Sequence, residues 1–114
     1  MKRNLFNQDN LPPTHKEIFE DILRTPDLLI ERIISSGQAT PPGEWYDQDR
    51  DEWVILVSGN AVIRFETGAA IDLGAGDHLL IPAHCRHRVE KTTSEPPCYW
   101  IAVHGSLTTP ENVV

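Results

Sequence analysis

"EWVILVSG", residues 52–59, decides how the rest of this chain is read. In an extended strand Glu52, Val54 and Leu56 share one side, and Trp53, Ile55 and Val57 share the other. Both sides are apolar apart from the glutamate, so both must be covered. The run stops at Gly59-Asn60, a turn signal. A carboxylate on a covered face is costly unless something partners it, so the strand also asks what meets Glu52.

Outward from this strand, the pattern repeats. "LLIERIISS" (28–36), "AVIRFET" (61–67), "AAIDL" (69–73), "HLLIPA" (78–83), "HRVEKT" (87–92) and "CYWIAVHG" (98–105) are short, apolar or alternating, and separated by Gly and Pro turns. About seven or eight strands at roughly 8–12-residue spacing predict an all-β sandwich or small barrel. "PPGEWYDQDRD" (41–51) reads as a loop or an entering edge strand. One segment differs. In "THKEIFEDILRT" (14–25), Thr14 and Glu17 have capping-box spacing, and Ile18, Phe19 and Ile22 fall near one helical face. Pro26 would end that run. The expected organisation is an arm and short N-terminal helix over 1–27, a barrel over 28–105 and a tail over 106–114.

The chain has 114 residues, which fits one domain with a real core. Its net charge is −7, from 17 acidic and 10 basic residues. That balance disfavours nucleic acid and gives no support to an anionic membrane, so neither is expected as a partner. No apolar run approaches the ~20 residues that span a bilayer. The first residues lack the apolar stretch of a secretory signal, and two cysteines are too few for a disulfide framework, so a cytoplasmic protein is expected. The doubly apolar strand at 52–59 leaves room for a second subunit, and a homodimer is expected.

A second stretch carries the chemistry. In "GDHLLIPAHCRH" (76–87), Gly76 is followed by five residues and Pro82, and His87 lies five beyond that proline. Upstream, Glu52 is followed by six residues and Gly59. Together these spacings resemble the two motifs of the cupin family. The resemblance spans roughly residues 28–105 and implies a small double-stranded β-helix, or jelly-roll barrel, that often holds one metal ion between the motifs. The departures are specific. The family's two first-motif histidines fall on Tyr46 and Gln48 with a three-residue spacer, and on Trp45 and Asp47 with a four-residue spacer. The second-motif glycine is replaced by His84, and the closing asparagine by Lys91.

The three-residue spacer is favoured, because Tyr46, Gln48 and Glu52 share parity with Val54 and Leu56. The resemblance then implies a metal set of Gln48, Glu52 and His87, with Tyr46 as acid or orienting donor. Trp45, Asp47, His84 and His104 are further candidates to line a ligand site. Such a mixed N/O set would suit one divalent ion, iron, manganese, nickel or zinc. Blander roles stand beside these. His87 could be a satisfied barrel histidine, Asp47 part of a solvated turn, and Cys85 a small buried hydrophobe. Arg86 and Arg88 should point away from His87, while Arg64 could turn inward to meet Glu52.

Three functions follow. The first is a metal-dependent enzyme, oxygenase- or isomerase-like, on a small polar metabolite. The second is a non-catalytic barrel that binds a small ligand without metal. The third is an inert structural or regulatory subunit.

Overall fold

The computed structural model describes residues 1–9, 11 and 15–109. Among these described residues there are eight strands: β1 (Ile18–Arg24), β2 (Leu29–Ser35), β3 (Asp51–Ser58), β4 (Ala61–Phe65), β5 (Ala70–Leu73), β6 (His78–Ile81), β7 (His87–Thr92) and β8 (Cys98–Gly105). They form a five-stranded sheet, β1-β2-β8-β3-β6, and a three-stranded sheet, β5-β4-β7, with every pairing antiparallel. The expected all-β jelly roll is the fold found.

Alternation along each strand builds the core. Val54 and Leu56 of β3, Trp100 and Ala102 of β8 and Ile81 of β6 face Ala61, Ile63 and Leu73 of the smaller sheet, and all are buried. Gly59 makes the turn after β3 at φ +90°, and a Cβ there would lie 2.7 Å from Cys98 Sγ. That position excludes side chains on two separate grounds.

The expected N-terminal helix is not present. Thr14, its proposed cap, lies outside the described residues, and Ile18–Arg24 form β1 instead. β1 pairs with β2 from Ile18↔Ile34 to Arg24↔Leu29, with a bulge between Asp21 and Leu23. The helical signal rested on three apolar residues, two of them β-branched isoleucines that suit a strand. A sheet edge offers these residues a ladder that an isolated turn of helix does not. Pro26 sits in the turn between β1 and β2, where the Thr25 N–H donates to Leu28 O at 2.8 Å.

Two polar devices brace the outside. Arg32, on the outer face of β2, is buried and pairs with Glu20 of β1, and it donates to the backbone carbonyls of Leu5 and Asn7. Phe6 packs on Tyr99 with ring centroids 5.0 Å apart, so the N-terminal arm is laid over this sheet. Asp51 joins three segments at the start of β3. It accepts from Ala83 N at 2.8 Å, from Leu107 N at 2.8 Å, and from the amide and hydroxyl of Thr108 at 3.0 Å each. These bonds hold its carboxyl below the ordinary acid range.

Candidate functional site

Inward parity on several strands brings polar groups to one cavity. Glu52 projects from β3 beside Val54, and His87 opens β7 opposite it. Tyr46 joins that wall through an isolated bridge to His87: its N–H donates to His87 O at 2.7 Å, and the His87 N–H donates back at 3.1 Å. Glu31 projects from β2, and Glu17 lies just before β1. With Gln48 these side chains rim a cavity of about 60 Å³, measured as space for water centres. Val54, Ile63, Ile81 and Trp100 line it from the core. A single water needs roughly 10–15 Å³ by this measure, so a few waters or a small molecule fit.

The imidazole of His87 is set in one orientation. Its Nδ1 lies 2.9 Å from Cys85 O, and a carbonyl can only accept, so Nδ1 carries hydrogen. In the neutral ring Nε2 therefore presents a lone pair. Nε2 lies 3.7 Å from Glu52 Oε1, and the two side chains are only 6% and 9% exposed. That separation is too long for a hydrogen bond. No hydrogen bond to the Glu52 carboxylate occurs among the described residues. Tyr46 stacks on the same ring at 5.6 Å between centroids and 29° between planes.

The electrostatics are acidic. Burial pushes the Tyr46 phenol above its ordinary value, and the Glu17 and Glu52 carboxylates push it further. At neutral pH it is a hydrogen-bond donor. Ser35 Oγ donates to Glu17 Oε2 at 2.6 Å and receives Trp100 Nε1–H at 3.1 Å, which fixes Glu17 at one end. Glu31 Oε1 lies 2.8 Å from Nε2 of His104, the residue opposite Glu52 in the β3–β8 ladder. That bond raises the His104 pKa above 6.5 against the cost of burial, and Glu52 adds to the rise.

Of the residues singled out from sequence, Tyr46, Gln48, Glu52 and His87 line one cavity. The other four do not line it. Asp47 is exposed and bonds His84, Oδ1 to Nδ1 at 2.9 Å, on the outside of the barrel. His84 has φ +62°, a left-handed conformation at the position where the family has glycine, and this turn aims its ring outward. Trp45 lies under the Arg88 guanidinium, 5.9 Å from ring to Cζ. His104 serves as the partner of Glu31. Arg64 also points outward, 2.7 Å from Glu90, and so does not reach Glu52. Glu17 and Glu31 were missed as site residues. The capping-box spacing with Thr14 assigns Glu17 to a helix start instead. Glu31 carried a usable signal, since it shares parity with Leu29 and Ile33 in an apolar strand.

The donor set can be tested against a metal. Glu52 and His87 supply one carboxylate and one imidazole with facing lone pairs, and ligand bonds of ~2.1 Å to each can span 3.7 Å. Gln48 and Tyr46 stand on the same wall as weaker oxygen donors. Among the described residues no group of three His, Cys, Asp or Glu side chains converges. The residues fit one divalent ion held by two strong donors, with positions left open.

Comparison with known proteins agrees with this fold. The Cupin domain family model matches residues 32–104. A crystal structure from Ralstonia eutropha, bearing the name "putative mannose-6-phosphate isomerase", is 48% identical over 94% of this chain and 99% of that one, with a TM-score of 0.84. A cupin superfamily protein of Desulfitobacterium hafniense is 18% identical over 84% of this chain and 83% of that one, with a TM-score of 0.70. A structure of FeII HppE is 14% identical over 77% of this chain and 49% of that one, with a TM-score of 0.66. The last two share the fold alone. No protein of curated function matches the chain. Among the described residues no helix is long and apolar enough to cross a membrane.

Proposed function

Because this chain belongs to the cupin family, we propose that its barrel binds one divalent metal through Glu52 and His87 and acts on a small polar molecule, in an isomerase-like reaction. The observation that carries this reading is the buried, unbonded approach of Glu52 Oε1 to His87 Nε2. The name borne by the Ralstonia eutropha relative supports the isomerase class. Gln48 and Tyr46 would complete the shell or meet the substrate.

When bound, the ion would supply a Lewis acid that polarises a substrate oxygen. The chain's own groups do the rest. The Cys85 carbonyl keeps the His87 proton on Nδ1 and so directs Nε2 into the cavity. Tyr46, kept protonated by its surroundings, donates a hydrogen bond to substrate oxygen. Glu17, anchored by Ser35, and Glu31, anchored by His104, present acceptors to substrate hydroxyls. Trp100 and Ile63 keep the inner end dry.

Metal analysis of untagged protein tests the proposal. About one equivalent of iron, manganese, nickel or zinc is expected after loading, with matching thermal stabilisation that a chelator reverses. Less than about a tenth of an equivalent of any of these would overturn it. A second reading, a small-ligand binder without metal, is favoured by the lack of a third strong donor among the described residues. Stabilisation by a metabolite, indifferent to chelator, would mark that case.

We also propose a homodimer. β1 lies at an edge of the larger sheet and carries Phe19, Ile22 and Leu23 about half exposed, a surface suited to a second copy.

A further inference from the structure

We infer that the cavity selects an unphosphorylated ligand rich in O–H or N–H donors, a small polyol or amino-polyol, and rejects phosphate esters. The inference rests on the reading above that this cavity is the binding site. Three carboxylates reach it from three separate chain segments: Glu17 before β1, Glu31 from β2 and Glu52 from β3. All three line the same cavity as the Tyr46 phenol. Glu52 is more than nine-tenths buried and makes no hydrogen bond among the described residues, so it is an acceptor waiting for a donor or an ion.

Among the described residues no lysine or arginine lines the cavity. The arginines on and beside the neighbouring strands are engaged away from the cavity, although the buried Nε of Arg88 has no partner among the described residues. Arg32 pairs with Glu20, Arg64 with Glu90 and Arg86 with Glu66, while Arg88 donates to Thr40 O and Pro41 O. Of the nearby histidines, His104 is already held at Nε2 by Glu31, and His87 presents to the cavity the nitrogen that carries no hydrogen in the neutral ring. A dianionic phosphate would meet three carboxylates against only two neutral donors, the Tyr46 hydroxyl and the Gln48 amide, and would be desolvated for little return. A hydroxyl or ammonium group meets two anchored carboxylates, Glu17 and Glu31, and the unbonded carboxylate of Glu52 instead. The small volume favours a skeleton of a few carbons.

Three probes that share one carbon skeleton decide the matter: serinol, glycerol and glycerol 2-phosphate. Each is titrated into the ¹⁵N-labelled full chain, with His87 imidazole signals as readout, once with chelator and once with zinc. Serinol and glycerol are expected to shift these signals, and the phosphate ester to bind at least about tenfold more weakly. E17Q and E31Q are expected each to narrow that gap, and either variant suffices if the other does not fold. Equal or tighter binding of the ester, silence from all three probes, or an unchanged gap in the variants would overturn the inference. Failure of the metal proposal looks different: zinc leaves the His87 signals unmoved while the ranking of probes persists.

Discussion

Glu52 and His87 come from different sheets and meet inside the barrel, with Oε1 of one 3.7 Å from Nε2 of the other. Strand β3 delivers the acid and β7 the imidazole, and neither is committed to a hydrogen bond through the facing atom. A buried carboxylate left this way stores a cost that only an ion or a donor removes.

That cost has a measurable sign. In chelator-treated protein, Glu52→Gln is expected to leave stability unchanged or raise it by about 1 kcal/mol, because a neutral amide replaces a buried charge. The same variant should lose metal-dependent stabilisation. Thermal unfolding with and without metal reads both. A large loss of stability without metal would mean that Glu52 has a structural partner.

His104 should make stability fall toward alkaline pH. Its folded-state pKa is raised above the ordinary 6.5, chiefly by the bond to Glu31. The stabilisation is therefore complete below the unfolded value and is lost as pH rises through the higher folded value. His104→Gln keeps a donor toward Glu31 but does not titrate, so its stability should be flatter across that window. Urea unfolding from acid to alkaline pH provides the comparison.

Asp51 governs the acid side. Its folded pKa is depressed by hydrogen bonds from Ala83, Leu107 and Thr108, so its contribution is present above the ordinary carboxylate range and fades as pH falls through the lower folded value. Asp51→Asn is expected to cost about 2 kcal/mol at neutral pH, and less in acid. It should also loosen the tail after β8, where Leu107 and Thr108 are held. Amide hydrogen exchange at Leu107 and Thr108 locates the effect.

The exposed edge of β1 predicts self-association. Light scattering on the purified chain should give the mass of a dimer, and Ile22→Lys should shift it to monomer without changing the circular dichroism. A monomer in the unaltered protein removes this proposal.

The barrel was legible in the sequence because its strands carry their own punctuation. The Gly59-Asn60 turn, the Pro82 corner and the apolar faces of 52–57 mark the elements that the structure contains. The motif spacing, with which parity agrees, singles out Tyr46, Gln48 and Glu52, and all three line the cavity with His87, although the chain bends at 49–50 before β3 rather than running as one strand. Two features escaped. Residues 18–24 have little preference of their own, and the free edge of β2 decides their conformation. The direction of His84 depended on a positive φ, which a histidine does not advertise.

The most direct measurement is anomalous diffraction from crystals of the chain soaked in manganese or zinc. The account predicts one anomalous peak about 2.1 Å from both Glu52 Oε1 and His87 Nε2, absent in Glu52→Gln. A cavity without a peak, or a peak held by other residues while Glu52 and His87 stay 3.7 Å apart, would contradict it.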